Sequence, residues 1–258
     1  MTAKIYWDAD HMNYEGISTP SILGIGDSWF WYFPLGGSVI NQIANLIKSD
    51  HTILTYGKNG AEAVDYVSGK YSKEIRSALK RYGEGLSAVL ISGGGNDFAG
   101  TNDLRPLLKP NCTNESDAVD CFKDGSEFKS LGWLMRKTTE NYMALIGLIF
   151  AHAPSATVVL HNYDYAVPTG KGGWLKPALD DARVPTRLQQ KCIEHIINSF
   201  TNELQALAAT NPRKIVFVDT RNTLEPKHWA NELHPTKTGC RLIAKRWKSA
   251  LEDLNLFK

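Results

Sequence analysis

Leu23-Gly24-Ile25-Gly26-Asp27-Ser28-Trp29 reads as an apolar strand that enters a tight turn and then a helix. Single positions exclude two familiar strand–turn–helix motifs. A dinucleotide fingerprint needs glycine at position 29, where Trp29 stands. The nucleophile elbow Gly-x-Ser-x-Gly needs glycine at position 30, which is Phe30. What remains is Ser28 at the entry of a helix. There its own backbone N–H faces a pocket that favours a developing oxyanion. The plainer alternative is a serine that only caps the helix.

Moving outward, five short runs repeat the apolar character of this strand: Ile22 to Gly26, Thr52 to Tyr56, Ala88 to Ser92, Ala156 to His161 and Ile215 to Asp219. They are apolar throughout rather than alternating, the pattern of strands buried on both faces of a parallel sheet. Helical patterns separate them. Val39, Ile40, Ile43, Leu46 and Ile47 share one face, and Leu131 to Phe150 forms a long helix. Further stripes run from Ile193 to Leu207 and from Leu242 to Leu251, and Ala61 to Tyr82 is helical with a break near Gly69. The alternation predicts an open, doubly wound α/β sheet whose ligand site lies beyond the carboxyl ends of the strands. Two segments interrupt it, Ala99 to Phe128 and Tyr163 to Pro185. Both leave strand ends, so they are expected to rim the site as insertions within one domain spanning 1–258.

The residues with chemistry fall just past strand ends. The third strand runs into Ser92-Gly93-Gly94-Gly95-Asn96-Asp97, where the glycines would let backbone approach a ligand and Asn96 offers an uncharged N–H donor. The second ends in Tyr56-Gly57-Lys58-Asn59-Gly60, and Gly60 could present a backbone N–H. After the fifth comes Asn231-Glu232-Leu233-His234-Pro235 ahead of the last helix, and histidine is the usual base for a serine nucleophile. Trp29 opens the run Trp29-Phe30-Trp31-Tyr32-Phe33, which would line an acyl or sugar pocket or else pack in the core. His161, in His161-Asn162-Tyr163-Asp164, is a candidate for substrate contact, and no third ligand for a metal accompanies it.

The charge balance, 29 basic against 27 acidic residues, gives no push toward nucleic acid. The longest apolar run, Met143 to Ala151, is too short to span a bilayer, and the N-terminal residues lack a secretory pattern, so a cytoplasmic location is expected. Cys192 and Cys240 read as buried small residues. Cys112 and Cys121 bracket a polar segment and are either free thiols or, in an oxidising compartment, a disulfide.

In Gly26-Asp27-Ser28, Gly60, Gly94-Gly95-Asn96-Asp97 and His234, in that order and spread over most of its length, the chain resembles the SGNH hydrolases, the GDSL esterase/lipase superfamily. The resemblance implies a flavodoxin-like three-layer α/β/α sandwich with a five-stranded parallel sheet. It also implies Ser28 as nucleophile, His234 as base, and an oxyanion hole made by the N–H groups of Ser28 and Gly60 with the Asn96 side chain. No metal or organic cofactor is called for. One position departs: the family has Asp three residues before the histidine, and here Asn231 stands there. The orienting group for His234 is therefore open among Asn231, Glu232, Asp219 and a backbone carbonyl; the reading adopted is a Ser–His dyad assisted by Asn231. The expected activity is hydrolysis of short acyl or acetyl esters, small-molecule or carbohydrate, through an acyl-enzyme. Its rival is an SGNH-fold protein that binds an acyl or carbohydrate ligand with little or no catalysis.

Overall fold

The computed structural model describes residues 2–31, 37–47, 50–125 and 127–253. In chain order the elements are β1 (Lys4–Tyr6), α1 (Ala9–Tyr14), β2 (Ile22–Gly26), α2 (Ser28–Trp31), α3 (Val39–Leu46), β3 (Thr52–Gly57), α4 (Ala63–Val67) and α5 (Ser72–Tyr82). They continue as β4 (Ala88–Ser92), α6 (Gly95–Phe98), α7 (Thr101–Leu104), α8 (Leu131–His152), β5 (Thr157–His161), α9 (Lys176–Asp181), α10 (Thr186–Ala209), β6 (Ile215–Val218) and α11 (Lys237–Asp253). All five expected strands form, each within a residue of its expected ends. The sheet nevertheless has six strands, in the order β1-β3-β2-β4-β5-β6, all parallel. The extra strand, β1, is an edge strand of three residues, of which only Tyr6 is buried. Nothing that short shows a period in sequence.

The β2 strand is buried at every residue, as is β4. Helices cover both faces. On one, α3 packs against α11; on the other, α8 packs against α4, α5 and α10. The predicted break near Gly69 separates α4 from α5. Among the described residues no helix is long and apolar enough to cross a membrane.

Register sets up the site. Gly26 pairs with Gly57 on one side and with Ser92 on the other, so three strands end level. Ile91 pairs with Leu160 and His161 with Val218, which continues the same line across the sheet. Ser28, Gly60 and Asn96 follow their strands by two to four residues and therefore emerge at one height. Gly57 has φ +104°, and a Cβ there would collide with the Gly26 carbonyl oxygen; only glycine lets β3 leave the sheet beside β2.

Candidate active site

Ser28 is the first residue of α2, so its N–H has no intrahelical acceptor. Asp27, buried in the turn before it, holds the turn shut: its Oδ1 accepts the Trp29 N–H at 3.0 Å and the Ser92 hydroxyl at 2.9 Å. Its Oδ2 accepts the Tyr163 hydroxyl at 2.6 Å, and that hydroxyl accepts the Gly95 N–H at 3.1 Å. The β2, β4 and β5 exits are thus tied to one carboxylate. Burial raises the pKa of Asp27, while the three donors that face it act in the opposite direction.

The Asn96 side chain is fixed by donating from Nδ2 to the Ala61 carbonyl at 2.9 Å, which joins the β4 exit to the loop carrying Gly60. Next to it Asp97 accepts the Ala63 N–H at 2.9 Å and the Thr138 hydroxyl at 3.1 Å. Burial pushes its pKa up to about 7 against these bonds. The glycines of this motif approach aromatic rings, and Gly95 also lines a slot beside Ser28. A Cβ at Gly93 would meet Tyr66 at 2.7 Å, one at Gly94 Phe200 at 2.8 Å, and one at Gly95 Tyr163 at 2.8 Å.

His234 sits in the turn before α11, and its Nδ1 lies 3.0 Å from Asn231 Oδ1. That Oδ1 also receives the N–H groups of Leu233 and His234, both at 2.9 Å. An atom that accepts two backbone N–H groups is the amide oxygen, so the ring nitrogen facing it carries the hydrogen. His234 is then the Nδ1–H tautomer, with its basic lone pair on Nε2. Burial lowers its pKa to about 4.

Ser28, Gly60, Asn96, Asn231 and His234 line one cavity of about 480 Å³, together with Asn59, Glu62, Asp103 and Trp174. A second, narrower cavity of about 40 Å³ adjoins it, with Ser28, Asn96, Ala99 and Leu233 shared between the two. This slot is apolar, walled by Trp29, Phe98, Ile193, Ile196, Ile197 and Leu175.

Sequence comparison finds no matching family model and no curated relative. Solved structures do match. A lipase from a goat rumen metagenome superposes with TM-score 0.56 at 16% identity, covering 90% of this chain and 97% of that one. An extracellular lipase of Streptomyces rimosus gives 0.54 at 17%, covering 89% and 98%. The family 3 carbohydrate esterase of Clostridium thermocellum gives 0.54 at 16%, covering 93% and 100%. The chain has the SGNH hydrolase fold.

In this SGNH fold the sequence candidates divide. Trp29 is 5% exposed and walls the slot, with its indole N–H donated to the Leu233 carbonyl at 3.0 Å. Tyr32 and Phe33 of the same aromatic run lie outside the described residues. His161, expected at the substrate, is fully buried and lines neither cavity. It lies at the end of an interior strand, where rings close over it: Phe30 stacks on it and Trp247 lies 5.0 Å away. Its Nε2 meets the Ser92 hydroxyl at 2.9 Å, and burial pushes its pKa down to about 3.

Two of the candidate orienting carboxylates are committed elsewhere. Asp219 pairs with Arg221 and accepts the Asn162 amide at 2.8 Å. Glu232 is wholly buried and bonded to the 163–185 insertion. All four cysteines are free and buried, with the Cys112 thiol donating to the Cys121 carbonyl at 3.5 Å.

Sequence reading missed Tyr163 as the clasp between Asp27 and Gly95, and Trp174 as the ring packed edge-on to His234 with centroids 5.7 Å apart. The only sequence signal for the second is the cluster Gly170, Gly172 and Gly173 ahead of it, which calls for an unusual backbone path.

Proposed function

We propose that the protein is a serine-dependent carboxylic ester hydrolase that works through an acyl-enzyme on short acyl esters. The observation that carries this reading is that Ser28, Gly60, Asn96 and His234, drawn from four strand exits, line one cavity. Ser28 Oγ attacks the ester carbonyl while His234 Nε2 takes its proton. The oxyanion is met by the N–H groups of Ser28 and Gly60 and by the second amide hydrogen of Asn96. Collapse expels the alcohol, which receives the proton from His234. Water then attacks the Ser28 ester, deprotonated by the same nitrogen, and the carboxylic acid leaves.

The two cavities support a division of the substrate. The narrow apolar slot fits the acyl group, and its size favours a short one. The wider cavity, with Asn59, Glu62, Asp103 and the Trp174 indole, fits a hydroxylated alcohol portion such as a sugar.

A fluorophosphonate probe tests the nucleophile. Labelling at Ser28, with loss of both labelling and p-nitrophenyl acetate turnover in Ser28→Ala, is the expected result. A folded wild type that neither labels nor turns over ester is instead a binding protein of the same fold. Acetylated sugars and an acyl-chain series, run on wild type beside Ser28→Ala, identify the substrate class.

A further inference from the structure

The strongest feature outside the catalytic groups is the carboxylate of Glu232. It is fully buried, and no cation pairs with it among the described residues. Its charge is met by four backbone N–H groups from one short segment. Oε1 accepts Gly170 at 2.8 Å and Lys176 at 3.0 Å, and Oε2 accepts Trp174 at 2.8 Å and Leu175 at 2.9 Å. The Glu232 N–H donates back to the Lys171 carbonyl at 3.1 Å. Gly170, Gly172 and Gly173 have φ values of +82°, +106° and +76°, so the chain winds round the carboxylate in a conformation that side chains resist. Charge-assisted bonds of this kind are about twice as strong as neutral ones, and four converging on one group over-determine the path of the segment.

What that segment presents is functional surface. Trp174 stands edge-on to His234 and lines the wide cavity, while Leu175 walls the narrow slot. Glu232 itself is flanked by Asn231, which orients His234. We propose that Glu232 is a positioning residue that holds the strap 170–176 closed, and through Leu175 and Trp174 sets which acyl chains reach Ser28. This rests on the ester-hydrolase reading above.

Glu232→Gln tests it because shape is kept while one acceptor becomes a donor facing two N–H groups. The reference variant is Leu175→Ala, which opens the slot wall without touching the carboxylate. Relative kcat/KM for p-nitrophenyl acetate, butyrate and hexanoate is measured on wild type and both variants, and hydrogen exchange of 170–176 is followed independently of turnover. The expected result in Glu232→Gln is faster exchange confined to the strap. Its preference should shift toward longer chains by about fourfold per methylene, the worth of one buried CH₂, in the direction Leu175→Ala shifts it. A uniform loss of rate on all three esters, or an unchanged strap exchange, overturns the proposal. If Glu232→Gln does not fold, Leu175→Ala with an unchanged chain-length profile overturns it. Wild type inert to ester and probe overturns the hydrolase reading instead, and the exchange measurement still reports whether Glu232 holds the strap.

Discussion

Asn231 Oδ1 lies 3.0 Å from His234 Nδ1 and also caps the Leu233 and His234 N–H groups. The place usually filled by a carboxylate is thus filled by a neutral oxygen that is itself locked by backbone. It can fix the tautomer of the ring, which an Asp-to-Asn change in a serine-protease triad fails to do. It cannot stabilise the imidazolium by charge.

From this follows a pH dependence. Burial holds the His234 pKa near about 4, so the basic form persists well below neutrality. The acid limb of kcat/KM is expected near pH 4. In Asn231→Asp a carboxylate takes over the same three contacts and raises the histidine pKa. The limb then moves toward the ordinary value of about 6.5, and the neutral-pH rate rises by up to about tenfold for each pH unit the limb moves. Asn231→Ala removes the acceptor that faces His234 Nδ1 and lowers the rate by about 10²-fold. The pH–rate profiles of the three proteins check all of this.

Asn96 has one amide hydrogen committed to the Ala61 carbonyl, which fixes the plane in which the other is presented. If that second hydrogen meets the oxyanion, Asn96→Ala lowers kcat by roughly 10²–10³ while KM moves little. Asn96→Asp does worse, because a carboxylate then faces both the Ala61 carbonyl and the oxyanion. Steady-state constants on p-nitrophenyl acetate for the two variants separate transition-state loss from binding loss.

How far sequence reading reached follows from what each residue answers to. The interior strands were legible because β2 and β4 are buried throughout and carry no polar face to hide the pattern. The placing of Ser28, Gly60 and Asn96 at one edge was legible because parallel strands deliver their exits there, whereas His234, well beyond the end of β6, was legible only through its motif ahead of the last helix. β1 was not, since three residues at a sheet edge carry no period. His161 was misplaced for a physical reason: the strand-exit rule puts it in line with the site, but the side chain alternates and this one points into rings. Sequence alone offers Glu232 only as one of the candidate groups to orient His234. Its bonds run to backbone 56 to 62 residues away, which no local pattern encodes.

The slot beside Ser28 predicts acyl preference. Ile196 and Ala166 both line it, one large and one small. Ile196→Ala lengthens the slot and raises kcat/KM for hexanoate relative to acetate, by about fourfold per methylene newly buried. Ala166→Leu fills it and reverses the order, leaving acetate turnover close to wild type. A chain-length series on the two variants tests the assignment of acyl group to this cavity rather than to the wide one.

Stability against pH combines opposing contributions, and their signs can be separated. His161 is buried neutral, with its pKa near about 3 against about 6.5 unfolded. As pH falls below 6.5 the unfolded chain takes up a proton that the folded chain refuses, so stability drops by up to about 1.4 kcal/mol per pH unit until the folded pKa is reached. His234 acts in the same direction down to about 4. Asp97 acts oppositely. Its pKa is raised to about 7 against about 4 unfolded, so between those values the folded chain holds the extra proton and stability rises as pH falls. Two histidines against one carboxylate leave a net loss, so wild type should lose stability toward acid by up to about 1.4 kcal/mol per pH unit between pH 6.5 and 4.5. His161→Phe keeps a ring between Phe30 and Trp247, and Ser92 keeps its bond to Asp27. It costs about 1 kcal/mol at pH 7 for the lost hydrogen bond, and that deficit shrinks or reverses toward pH 4.5. Asp97→Asn can still accept from Ala63 and donate to Thr138, and its deficit relative to wild type grows toward acid. Urea unfolding at pH 7, 5.5 and 4.5 reads both difference curves. Two flat curves would show that neither buried group titrates as its surroundings dictate.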